Sequence, residues 1–181
     1  MPDVSDADLV RRAQGGDVNA IGELYDRHYT RIFRYLWSRV RDERLAEDLT
    51  GEVFSRMITH LSSYRSKGVP FQSWLYRIAH NLTVDHCRKE GQHHLVPLYY
   101  AEGLGGEKRD PVSIVEGQLT AERVEKALCQ IDPIQQEVVV LRFLVGLSLR
   151  EVAATLNKTV AAIKSLQHRG LGALRAALEE A

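Results

Sequence analysis

Residues 132–169 read DPIQQEVVVLRFLVGLSLREVAATLNKTVAAIKSLQHR, and this stretch decides the fold. Asp132 before Pro133 is an N-cap with a first-turn proline, a pair that starts a helix. Ile134, Val138, Leu141 and Leu144 then recur at helical spacing and are expected on its buried face. Gly146 suits the left-handed position that ends such a helix. Ser148 and Glu151 form a capping box that opens a short helix through Leu149, Val152, Ala153 and Leu156. Asn157 can take the left-handed turn after it, and Thr159 is placed to cap a last helix carrying Val160, Ile163, Leu174 and Leu178. Two helices joined by a few residues, the second opening on basic side chains, make a helix-turn-helix pattern. Lys164, Ser165, His168 and Arg169 are expected to project from that second helix. Lysine and arginine there can contact phosphate or guanine edges, and serine either.

Upstream, the signals are again helical. Ser5 with Asp8 reads as a capping-box start, and Gly15-Gly16 as its stop. Asp17 can cap the next helix, in which Ile21, Leu24, Tyr25, Tyr29, Ile32, Phe33, Leu36 and Val40 define a buried stripe. A third helix follows Asp42, with Leu45, Leu49, Val53, Met57 and Leu61 on one face. Glu43, Glu47, Asp48 and Glu52 give that helix an acidic outer surface. After the break at SKGVP comes FQSWLYRIAHNLTVDHCRK, whose Trp74, Leu75, Ile78 and Leu82 are apolar. Phe71, Trp74 and Tyr76 lie near Arg65, Lys67 and Arg77, mixing stacking platforms with phosphate-seeking charge. Trp74 is expected to pack, as a tryptophan at helical spacing beside Ile78 usually does. Tyr64, in a loop beside Gly68 and Pro70, is expected to be exposed and free to bind.

Charge separates the parts. The chain of 181 residues has 24 basic and 24 acidic side chains, 44% hydrophobic residues and a formal net charge of zero. That excludes a uniformly basic coat for nucleic acid and a disordered chain. Residues 61–91 nevertheless carry a net +3, residues 92–125 a net −3, and residues 148–175 a net +4. The acidic stretch contains GLGGEKRDP, whose glycines and proline read as a linker. The division expected is an N-terminal helical domain over 1–91, a flexible acidic linker over 92–121 and a helix-turn-helix domain over 122–181. The fold class is all-α.

Other chemistries find little support. His86, Cys87, His93 and His94 match none of the common metal-ligand spacings, so no metal is expected. There is no phosphate-binding glycine loop, no HExxH and no nucleophile elbow. No catalytic residue, enzyme activity or cofactor is therefore expected. The N-terminus lacks a signal-peptide pattern, and the apolar runs are too short to span a bilayer, so a cytoplasmic protein without membrane insertion is expected.

Four stretches, ELYDRHYTRIFRYL, AEDLTGEVF, FQSWLYRIAHN and the run from Leu128 to Arg169, follow one another in the order and spacing of a known family. Together they cover most of the chain, which resembles a bacterial RNA polymerase sigma factor of the extracytoplasmic-function (ECF) type, in the sigma-70 family. The resemblance implies two DNA-reading domains on a tether that runs toward the RNA path. It assigns Glu47, Asp48 and Glu52 to docking on core RNA polymerase. It assigns Tyr64, Arg65, Lys67, Trp74, Arg77 and Asn81 to the minus-ten promoter element, with Tyr64 helping to hold a flipped base. It assigns Lys164, Ser165, His168 and Arg169 to the minus-thirty-five element. An anti-sigma factor is the further partner it implies.

Three residues depart from the family pattern. Leu166 and Gln167 stand where a basic residue followed by an apolar one is usual. Gly170 stands in place of alanine, at a cost of about 1 kcal/mol to an exposed helix. Two rival functions are a stand-alone helix-turn-helix regulator and an enzyme. The first leaves FQSWLYRIAHN and the acidic helix unexplained, and the second lacks a convergent site.

Overall fold

The computed structural model describes residues 4–40, 42–66, 68–90, 123–124 and 126–179, and among them only helices and the turns between them occur. The linker expected over 92–121 lies outside the described residues, as do Lys67, His93 and His94.

Helix α1 (Asp6–Gln14) starts at Ser5, whose hydroxyl accepts from the Asp8 amide at 3.2 Å. Asp17 then caps α2 (Val18–Val40), accepting from the Asn19 and Ala20 amides. At 23 residues α2 is about 34 Å long. It is the central strut, packing on α1, on α3 (Glu43–His60) and on α4 (Phe71–Glu90). Leu24, Ile32, Leu36 and Tyr35 fill the space between them. Tyr25, expected in the stripe, is instead 40% exposed, at the rim where its ring meets Tyr29 and Phe54. Phe71 and Tyr76 are only 4% and 3% exposed, so they are core side chains and not stacking platforms.

In the C-terminal part, helical residues 123–124 and 126–128 precede α5 (Pro133–Val139), which Asp132 caps through the Ile134 and Gln135 amides. The expected α-helix ends early, and residues Val140–Leu144 form a π-helical turn closed by the Val145 amide on the Val140 carbonyl. A run of three β-branched residues, Val138 to Val140, crowds the regular turn, and the wider turn relieves it. It also swings Arg142 back onto the Leu147 carbonyl and Gln167, and leaves Phe143 52% exposed. Gly146 has φ 83°, which a glycine tolerates and which turns the chain into α6 (Leu149–Thr155). The capping box of Ser148 and Glu151 is present in both directions. Asn157 follows at φ 52°, Thr159 caps by accepting from the Ala162 amide, and α7 (Val160–Glu179) closes the motif.

Gly170 is not a weak point on an exposed helix. It is buried against α5, where an added Cβ would lie 3.0 Å from Val139 Cγ2 and 3.2 Å from the Gln135 carbonyl. The glycine permits the close crossing of α5 and α7. Gly170→Ala therefore lowers stability by about 1 kcal/mol, overpacking outweighing the propensity gain. Chemical denaturation measures this, and a raised midpoint would contradict the close-crossing explanation.

The two parts are docked. α4 packs on α6, and one continuous set of buried apolar side chains runs from Leu9 in α1 through Leu75 and Ala79 in α4 to Val152 and Ile163. Leu166 joins this core at 9% exposure, which explains an apolar side chain at a position where a basic one was expected.

Candidate nucleic-acid interface

Helix α3 runs into a 3-10 turn over Leu61–Ser63, and the described residues 64–66 and 68–70 that follow are irregular. Tyr64 is half-buried rather than exposed. Its ring meets Phe71 edge-on at 5.5 Å and lies 4.6 Å from Trp74. Burial raises its phenol pKa above the ordinary value, against the influence of Ser66 and the Arg77 charge, so it is a neutral hydroxyl at pH 7. Beside it opens a cleft of about 580 Å³ whose walls include Tyr64, Arg65, Trp74 and Arg77. Trp74 thus does two things: it packs on Tyr64 and Phe71, and it presents surface to the cleft. Arg65 and Arg77 are exposed, so positive charge rims an aromatic wall. Such a recess can stack an unpaired base and hold its phosphate. Asn81 is exposed one helical turn beyond Arg77 on α4, outside the cleft itself.

One residue that sequence reading passed over holds this loop in place. The Gln14 side-chain amide, at the end of α1, donates to the Leu61 carbonyl at 2.9 Å and to the Tyr64 carbonyl at 3.0 Å. Helix α1 is itself anchored through Asp6, whose carboxylate lies 2.7 Å from His28 Nε2. A glutamine at a helix end carries no sequence signal for partners about fifty residues away. Gln14→Ala removes both bonds and costs about 1–2 kcal/mol of stability. Hydrogen exchange should localise the loss to residues 61–66; a loss confined to α1 would contradict the brace.

On the other module, Lys164, Ser165, His168 and Arg169 are all exposed on one face of α7, with Ile163 and Leu166 turned inward. An open concavity lies along this face, lined by Asn157, Lys158 and Thr159 of the turn and by Ala162, Ser165 and Arg169 of the helix. This is the arrangement in which the N-terminal part of a recognition helix meets base edges and the turn meets phosphate.

Glu47, Asp48 and Glu52 are exposed on α3 as expected. Arg56 holds Glu52 at 2.7 Å, which offsets part of the charge of this acidic face. No group of three or more metal-ligating side chains is assembled among the described residues. No helix among them is long and apolar enough to cross a membrane.

Two family models match the chain in the order the geometry suggests: sigma-70 region 2 over residues 24–93 and sigma-70 region 4 over residues 127–176. The loop, the aromatic side chains of the cleft and the acidic helix fall in the first, and the helix-turn-helix falls in the second. The chain is also 31% identical over 171 residues to the ECF RNA polymerase sigma factor SigD of Mycobacterium tuberculosis, covering 92% of this chain and 81% of that one. The chain belongs to the ECF sigma factors. A second relative, the ECF RNA polymerase sigma factor BldN of Streptomyces coelicolor, is 36% identical over 167 residues; the match takes in 92% of this sigma factor and 63% of BldN. The structure of CnrH in complex with the cytosolic domain of CnrY superposes with a TM-score of 0.71 at 25% identity, covering 97% of both chains. The fold of this sigma factor is thus similar to that of the solved structure.

Proposed function

We propose that this ECF sigma factor binds core RNA polymerase, directs it to specific promoters and helps to melt them. The observation that carries the reading is the pairing, in one chain, of a cationic aromatic cleft built from Tyr64, Trp74 and Arg77 with an exposed basic helix-turn-helix face. The first suits an unpaired base and the second a duplex major groove. A protein that reads both needs a partner large enough to span them. The exposed acidic face of Glu47 and Asp48 on α3 supplies a surface for that partner, and Glu52 extends it.

The proposed division follows: residues 1–91 dock on polymerase and read the minus-ten element through Tyr64, Arg65, Lys67, Trp74, Arg77 and Asn81. Residues 92–121 are the linker. Residues 122–181 read the minus-thirty-five element through Lys164, Ser165, His168 and Arg169. The work is recognition and not catalysis, in the cytoplasm where promoter DNA lies. With zero net charge, the free protein gains little from phosphate neutralisation, so its own affinity for duplex is low. Held together on polymerase, two weak readers act through effective concentration. An anti-sigma factor is the proposed inhibitory partner, and CnrH bound to the CnrY cytosolic domain is a precedent for a protein ligand on this fold.

Electrophoretic shift of a promoter fragment tests the partnership. The fragment should be retained when the protein and core polymerase are both present, and released when either is withheld. Tight, specific binding by the protein alone would support a stand-alone regulator instead.

A further inference from the structure

Glu137 lies on α5 and is 1% exposed. A carboxylate removed from water is strongly unfavourable unless charged or hydrogen-bonding partners meet it. Those partners come from the other module. The Tyr35 hydroxyl donates to Oε1 at 2.7 Å, the Arg39 guanidinium pairs with Oε2, and His80 Nδ1 lies 3.3 Å from Oε1. Burial and the Arg39 charge lower the His80 pKa to about 4, so the imidazole is neutral at pH 7 and Arg39 is the counter-charge. Within the C-terminal module the neighbouring cation, Arg142, is turned away onto Gln167 and the Leu147 carbonyl. Two further bonds cross the same seam. The Gln72 side chain donates to Glu151 at 2.7 Å, and the Thr155 hydroxyl donates to the Ser73 carbonyl at 3.3 Å.

We infer that Glu137 is the pin of an intramolecular latch, which holds the helix-turn-helix module against the minus-ten module and restrains promoter reading until the seam opens. The inference rests on the two-reader function proposed above. In the closed form, Ala154 and Asn157 of the helix-turn-helix form part of the wall of the cleft that contains Tyr64, Trp74 and Arg77. The closed form also fails to span a promoter. Elements named for positions ten and thirty-five are about 25 base pairs apart, or about 85 Å at the duplex rise. Helices α4 and α7 have 20 residues each, about 30 Å, and α4 touches α6 directly. Reading both elements at once therefore requires the modules to part.

The chemistry suits a switch better than a glue. A buried ion pair gains little net stability, because both charges recover water when it opens, yet it tolerates no register in which one charge is left alone. The latch thus specifies one closed arrangement while keeping it easy to open.

The test uses the full chain, with Glu137→Gln as one variant and Gln72→Ala with Thr155→Ala as a second that leaves Glu137 intact. Small-angle scattering reads the opening, and a labelled 20-nucleotide mixed-sequence single strand reads access to the cleft. Circular dichroism checks that each variant keeps its helices. The latch predicts a larger radius of gyration and at least about tenfold tighter single-strand binding, with Glu137→Gln the stronger of the two. Unchanged dimensions in both folded variants would overturn the latch. Expansion with no gain in binding would overturn its control of the cleft. Adding Tyr64→Ala to the opened variant separates the two readings. If binding persists undiminished, the base-capture reading fails, while the expansion alone still decides whether the modules are latched.

Discussion

Tyr64→Ala lowers the rate of open-complex formation by at least about fivefold, while core polymerase binding stays within about twofold of the parent. The magnitude follows from stacking, which contributes about 1–3 kcal/mol per base on an aromatic platform. A base that leaves the duplex loses its own stack, and the cleft must replace it. Tyr64 is suited to this because Phe71 and Trp74 fix its ring from two sides. The neighbouring Arg65 and Arg77 are exposed, and in the proposed mechanism their charge attracts the backbone that carries the base. Removing the ring leaves this charge in place, so encounter with DNA continues and capture fails. Polymerase affinity is expected to be spared, since the proposed docking face, the acidic side chains of α3, is untouched. Permanganate reactivity of unpaired thymines reads the melting directly. Full melting by Tyr64→Ala would remove this residue from the mechanism. A heteroduplex promoter, opened in advance, should restore part of the lost rate.

Lys164→Ala with Arg169→Ala reduces protection of upstream promoter DNA by at least about tenfold, since each contact of this kind is worth about 1–3 kcal/mol where it reads a base. Both side chains are exposed on the outer face of α7 and pack against nothing in the core, so the double variant folds as the parent does. Footprinting of the polymerase complex measures the effect, and an unaltered upstream footprint would count against α7 as the reading helix. Salt separates the two roles. Loss of a phosphate contact flattens the salt dependence of binding, whereas loss of a base contact changes sequence preference at similar salt slope.

The helix-turn-helix was legible because each of its boundaries has a local chemical cause. Asp132, Ser148 and Thr159 cap, and Asn157 and Gly146 turn, through interactions that reach only a few residues along the chain. The acidic face of α3 and the basic face of α7 were legible for the same reason, since helical periodicity sets which side chains share a surface. The seam was not. Glu137 stands three residues after Ile134 and four before Leu141, so it falls on the apolar stripe, the one sign that its carboxylate is buried. Its partners Tyr35 and Arg39 are about a hundred residues away, and no local pattern connects them. The role of Gly170 was hidden for the same reason. Its value lies in the approach of Val139 and Gln135 from another helix, which propensity does not register. Tyr64 was expected to be exposed from its glycine- and proline-bounded loop, and the packing of Phe71 and Trp74 overrode that expectation.

The most direct measurement is run-off transcription with purified core polymerase and fragments of the parent genome, with the full chain added or withheld. A promoter-directing function predicts transcripts with defined start sites that require both the chain and the core enzyme, and that fall sharply with Tyr64→Ala. Specific DNA binding without core polymerase, together with no chain-dependent starts, would contradict it.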